Sequence, residues 1–182
     1  MQGGRTMKGV VFLGEGEVEV RDFDVPAPRQ GEVLVQMKAS GICGSDLMFL
    51  NKTKKQIAEL PNMNPMGHEP CGVIAALGPG ATGVKVGQRT IVYHYAGCGR
   101  CKYCRIGYEH HCIHGFNYYG TSRPRGFGGG HEDYMVVPDR VCMKLPDTLL
   151  FRKFTYRSVS QPASEWCPFV VSQMVCRKMV YR

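Results

Sequence analysis

Hydrophobic residues recur along this chain in short stretches that alternate with polar ones, the two-residue period of an extended strand. Between Glu32 and Ala39, the side chains of Val33, Val35 and Met37 fall on one face. Val10–Phe12, Val18–Val20, Cys71–Leu77, Arg89–Tyr95, Tyr134–Val137 and Val141–Leu145 are alternating or β-rich in the same way. Glycine and proline punctuate them, with turn signals at Pro26-Ala27-Pro28, Gly78-Pro79-Gly80 and Pro138-Asp139. One short helix is predicted from Ser45 to Leu50, with Ser45 as its cap and Asp46 at its positive end. Short strands at this spacing predict a mainly β fold, a closed or nearly closed barrel.

The pattern stops near residue 150. Residues 151–182 show no period of two or 3.6 and are rich in Arg, Lys, Ser and Gln, which predicts disorder or loose packing. The net charge of +8 divides unevenly: residues 1–150 hold 17 basic and 14 acidic side chains, residues 151–182 hold 6 and 1. Basicity therefore belongs mostly to the tail, and the group Lys52, Lys54 and Lys55 reads as solvated surface, so a nucleic-acid partner is not expected. With no apolar run of about eighteen residues, no membrane span is expected either. The first ten residues are polar and Gly-rich, unlike a secretory signal; residues 1–6 read as an extension before a second candidate start at Met7. Nine cysteines without export point to a reducing cytoplasm, with thiols held by metal rather than in disulfides.

Four of these cysteines carry the strongest chemical signal. Cys98, Cys101, Cys104 and Cys112 are spaced C-x-x-C-x-x-C-x7-C on one segment with Gly97, Gly99 and Gly107 among them. Four thiolates on one loop suit a tetrahedral ion, and zinc with four sulfurs is the usual closed structural site. Ferredoxin-type runs also open C-x-x-C-x-x-C, but there the fourth cysteine follows after three residues and precedes proline. Here Ile113 follows Cys112. His110, His111 and His114 flank that cysteine and read as loop-surface side chains, because four thiolates already fill a tetrahedron. Cys71, Cys142, Cys167 and Cys176 read as small hydrophobes.

Two shorter motifs precede the quartet: Gly41-Ile42-Cys43-Gly44-Ser45-Asp46 and Gly67-His68-Glu69. Cys43 and His68 offer one sulfur and one nitrogen from separate parts of the chain, with Glu69 as a neighbouring carboxylate. Catalytic zinc commonly takes three protein ligands and keeps a position open. In this order, from about Met7 to Thr148 and ending on Lys144-Leu145-Pro146-Asp147, the motifs resemble the zinc-dependent medium-chain alcohol dehydrogenases. The resemblance implies a GroES-like β-barrel over residues 7–150, with a catalytic zinc on Cys43 and His68 and with Glu69 beside it. It implies a loop lobe braced by a structural zinc on Cys98, Cys101, Cys104 and Cys112. Ser45 would hydrogen-bond the alcohol and pass its proton onward, and Asp46 would orient His68 through its other ring nitrogen. In the intact family a small alcohol or polyol gives hydride to NAD(P), with zinc lowering the alcohol's pKa.

Three departures qualify this. Met48 stands where many members carry a proton-relaying histidine. No Rossmann unit is expected: the G-x-G-x-x-G match at Gly78, Gly80 and Gly83 is a decoy, with Pro79 inside it and a strand-like stretch where a helix is needed. The family would continue past residue 150 with an acidic, Ala/Gly-rich segment supplying the remaining zinc ligand, whereas Phe151-Arg152-Lys153-Phe154 is basic. Such a jump is what a shifted reading frame or truncated product gives. The expectation is an N-terminal catalytic domain that does not bind NAD(P) and is inactive alone, its barrel incompletely covered. A non-catalytic zinc-binding interaction module and an iron–sulfur electron-transfer protein are the alternatives. His94 and His131 lie in strand-like stretches with no partner apparent in the sequence. Nothing in the motifs selects a substrate, NAD over NADP, or an oligomeric state.

Overall fold

The structure, a computed structural model, describes residues 5–60, 66–118 and 128–152. The reading of residues 151–182 as an atypical tail, with Cys167 and Cys176 in it, falls almost wholly outside these. Strands β1 (Thr6–Gly14) and β2 (Glu17–Asp24) form an antiparallel hairpin. The main sheet contains β3 (Glu32–Gly41), β4 (Glu69–Leu77), β5 (Arg89–Val92), β8 (Tyr134–Pro138) and β9 (Cys142–Lys144), in the order β8-β3-β4-β5-β9. A small pair, β6 (Tyr95–Ala96) with β7 (Asn117–Tyr118), closes the neck of a loop lobe.

The sheet curls for a simple reason. β8 and β9 lie at its opposite edges, yet only the 3-10 turn Asp139–Val141 separates them in sequence. The edges must therefore come close, and Tyr93 N donates to Val141 O at 2.9 Å, which extends the β5–β9 pairing into that turn. Between the hairpin and the sheet, Val10 N bonds His131 O at 2.9 Å and Asp133 N bonds Lys8 O at 2.9 Å. A nearly closed, mainly β barrel results, as the strand spacing predicts. Every strand pairing among the described residues is antiparallel.

Val33, Val35 and Met37 are buried together with Ile74, Met135, Val137 and Val141. A fully buried aliphatic side chain of this kind contributes roughly 1.5–3 kcal/mol. Leu34 and Val136, on the opposite faces of their strands, are buried too, so alternation marked the core face without implying that the other face is wet.

Several elements differ from the sequence reading. The stretch expected as one strand over Arg89–Tyr95 breaks after Val92, because β5 pairs within the barrel while β6 pairs within the lobe. Helix α1 spans Gly44–Leu50 with Cys43 as its N-cap, so Ser45 lies inside the first turn instead of capping it. Helices α2 (Lys54–Ala58) and α3 (Lys102–Arg105) were not predicted, being too short to show a 3.6 period. A local signal for α2 did exist: Gln56 N donates to Thr53 Oγ1 at 3.2 Å and Thr53 N donates to Gln56 Oε1 at 2.9 Å, a reciprocal cap. Gly78, Gly80 and Gly83 fall in the β4–β5 connection and lead into a strand, so they cannot present a phosphate-binding helix. Lys54 is exposed and pairs with Glu17 at 2.9 Å. No helix among the described residues is long and apolar enough to cross a membrane.

Candidate metal centres

In the lobe, the four cysteine sulfurs lie within 4.8 Å of one another. Cys101 and Cys104 Sγ are 3.5 Å apart, Cys98 and Cys104 4.0 Å, and Cys101 and Cys112 4.0 Å. Sulfurs bonded at about 2.3 Å to one tetrahedral ion stand ~3.8 Å apart, so this donor set fits a single zinc. A cluster of several iron atoms would hold its thiolates farther apart. All four are free thiols. Backbone amides converge on them: Cys98 N donates to Cys112 Sγ at 3.2 Å, and Cys101 N to Cys98 Sγ at 3.3 Å. Backbone amides favour thiolate and hold both Cys98 and Cys101 below the ordinary thiol range, the amide of Arg100 leading at Cys98 and that of Cys104 at Cys101, whereas burial pushes Cys104 up to about 12. A metal ion would remove that conflict, since a coordinated thiol is deprotonated.

Local sequence explains the lobe's compactness. A Cβ on Gly97 would stand 2.6 Å from Cys104 Sγ, so only glycine lets the neck run this close to the sulfurs. Glu109, buried, accepts from Gly97 N and from Arg140 Nε, the latter at 3.0 Å, while the Arg140 guanidinium also donates to Gly97 O. Arg140 belongs to the turn between β8 and β9, so this cluster ties lobe to barrel. Neither residue was singled out from sequence, because the contact spans 31 positions. His111 and His114 are exposed, and the His110 ring pairs with Tyr93 Oη at 2.9 Å; none of the three points to the sulfurs as a ligand.

The second centre forms where β3 ends and β4 begins. Their register sets Gly41 opposite Glu69, which brings the residues just beyond, Cys43 and His68, to the same end of the sheet. Cys43 Sγ lies 2.8 Å from His68 Nε2, and Ser45 Oγ lies 2.8 Å from the sulfur and 3.0 Å from Nε2. The ligand atoms of Cys43, His68 and Glu69 fall within 4.8 Å of one another. Sulfur, imidazole nitrogen and carboxylate oxygen form a donor set suited to zinc. Burial works to raise the Cys43 thiol, but the His68 and Ser45 hydrogen bonds outweigh it and leave it below its ordinary value. His68 shows the converse: burial would lower it, and the bond to Cys43 with the charge of Asp46 leaves it raised.

Asp46 is fully buried beneath this cluster. Its Oδ2 accepts from Cys43 N at 2.9 Å, half of a capping box at the start of α1. Its Oδ1 lies 3.6 Å from His68 Nδ1, the expected nitrogen, though longer than a direct hydrogen bond. His131, for which the sequence named no partner, is buried on the other side of the same carboxylate, 3.9 Å from Oδ2. Burial would raise Asp46, and the facing imidazole of His131 leads the contributions that bring it below the usual carboxylate value. His94 packs its ring edge-on to His68 with centroids 6.1 Å apart, and burial lowers it to about 4.

A family model described as the alcohol dehydrogenase GroES-like domain matches residues 29–147, the span that holds both centres. The chain belongs to this family. An uncharacterized zinc-type alcohol dehydrogenase-like protein of Escherichia coli is 38% identical to this GroES-like chain over 154 residues, covering 81% of it. The cobalt- and zinc-bound thermostable alcohol dehydrogenase from Pyrobaculum aerophilum superposes with a TM-score of 0.66 at 26% identity, over 83% of this chain and 44% of its own. Acetophenone reductase from Geotrichum candidum, in complex with NAD, gives 0.70 at 28% identity, over 87% and 45%. The GroES-like chain thus spans well under half of each of these proteins, 42% in the E. coli case.

Proposed function

We propose that this chain is the zinc-binding, N-terminal catalytic part of an alcohol or polyol dehydrogenase, and that a complete family member would transfer hydride from the alcohol to NAD(P). The observation that carries this is the meeting of Cys43, Ser45 and His68 within 3.0 Å of one another at the mouth of the sheet. Cys43, His68 and Glu69 would hold the catalytic zinc; Cys98, Cys101, Cys104 and Cys112 would hold the structural one. Zinc, when bound, supplies Lewis acidity toward an alcohol oxygen. Ser45 Oγ, fixed in the first turn of α1, would accept the substrate's hydroxyl proton while passing its own hydroxyl proton onward. Met48 cannot carry that proton further, so water would have to take over that step. Thiols kept reduced for metal suit a cytoplasmic setting.

Metal analysis of the purified chain tests this. Two zinc ions per chain are expected, with Cys43→Ser losing one and Cys104→Ser the other. The chain alone is expected not to reduce NAD or NADP with alcohols. A single zinc unaffected by Cys43→Ser favours the non-catalytic module. Iron with absorbance near 400 nm would return the lobe to the iron–sulfur class.

A further inference from the structure

We propose that His131 is a positioning residue for the Cys43–His68 metal site, acting through Asp46. The inference rests on reading Cys43 and His68 as metal ligands and adds a residue outside all the motifs. Asp46 lies between two imidazoles: Oδ1 faces His68 Nδ1 at 3.6 Å and Oδ2 faces His131 Nε2 at 3.9 Å. All three side chains are at least nineteen-twentieths buried, with exposures of 5%, 1% and 1% for His68, Asp46 and His131. Neither Asp46 Oδ1 nor His131 Nε2 has a hydrogen-bond partner among the described residues. Burying such atoms without a partner costs roughly 1–3 kcal/mol each. A ring of carbon alone would fill the His131 site without that cost, which points to a role for its nitrogen.

The backbone that carries the ring is pinned. Gly130 N bonds Gly67 O at 2.7 Å, His131 N bonds Met66 O at 2.8 Å, and Val10 N bonds His131 O at 2.9 Å. These bonds clamp His131 against the segment that carries His68. Phe12 packs on it with ring centroids 6.3 Å apart. Gly67 has φ 95, and a Cβ there would stand 2.7 Å from the His131 ring; the glycine preceding His68 makes room for His131. Held in this way, His131 limits rotation of the Asp46 carboxylate, whose other oxygen faces His68 Nδ1. That keeps Nε2 directed at Cys43 and Ser45. Outer-sphere partners of metal-binding histidines typically account for 10–100-fold in metal affinity.

Cobalt(II) titration of the full chain, with chelator competition, tests the proposal. The four-thiolate site and the one-thiolate site differ in the intensity of their sulfur-to-cobalt absorption, so each reports separately. His131→Phe keeps a ring but no donor and should weaken the one-thiolate site by about 10–100-fold while leaving the four-thiolate site unchanged. His131→Gln, which keeps an N–H, should recover most of that loss. In an Asp46→Asn background the His131→Phe effect should largely vanish. The proposal is overturned if His131→Phe leaves affinity and spectrum at the one-thiolate site as in the parent. It is overturned equally if the loss persists undiminished with Asp46→Asn, or if both sites weaken together, which would mean a packing role. A parent chain that takes cobalt only at the four-thiolate site would overturn the ligand assignment, and this inference with it.

Discussion

Gly97→Ala should damage the proposed structural metal site without altering any of its four cysteines. The added Cβ would stand 2.6 Å from Cys104 Sγ, 2.8 Å from Cys112 Cβ and 3.0 Å from Glu109 O. Non-bonded carbon contacts sit at about 3.5–4.0 Å, so these neighbours would have to retreat by roughly 1 Å. Without metal the thiols can turn aside; with metal they are held, so the cost falls on the loaded state. Overpacking of this size costs about 1–3 kcal/mol. At about 1.4 kcal/mol per tenfold, the cluster's affinity should fall between roughly 5- and 150-fold. Zinc competition against a chromophoric chelator reads this directly, in a Cys43→Ser background so that only the lobe site counts. Gly44→Ala is the control, since its Cβ meets nothing within 4 Å. Unchanged affinity in Gly97→Ala would refute the reasoning, because it would show that the sulfurs are not held in a fixed cage.

Two further predictions probe the rest of the fold. Arg140→Met removes the donors to Glu109 and Gly97 O; it should lower stability by about 1–2 kcal/mol in urea, the low end for charged bonds because the guanidinium is partly solvated. A double-mutant cycle with Glu109→Gln that shows no coupling would count against the latch. Cys142 is pushed up to about 12 by burial, so the folded state keeps the neutral thiol. Above pH about 9 the unfolded chain ionises there first and stability drops; the advantage of the parent over Cys142→Ala should shrink by about 1 kcal/mol from pH 8 to pH 10. A difference that is flat across this range would refute it.

The candidate metal-binding motifs were legible because their donor residues are local or follow short fixed signals. Four cysteines within fifteen positions can meet only around a common point, and the α1 segment presents Cys43, Ser45 and Asp46 on one turn. The barrel was legible from alternation at Val33, Val35 and Met37 and from regularly placed turns, since a two-residue period demands a sheet with a buried face. Even so, the sequence put the helix cap two positions late: Ser45 has the side chain of a cap, but the chain uses Cys43.

What tertiary structure alone decided lies in contacts between distant segments. The β3–β4 register brings His68 to Cys43, 25 residues away. The β8–β9 turn carries Arg140 to Glu109, and the segment before β8 carries His131 to Asp46 across 85 positions of sequence. No local period or spacing encodes such pairings. They arise because burial of the strands closes the sheet on itself, and closure determines which buried polar groups face each other. The sequence by itself therefore determined which residues could bind metal; the closed sheet decided what holds those residues in place.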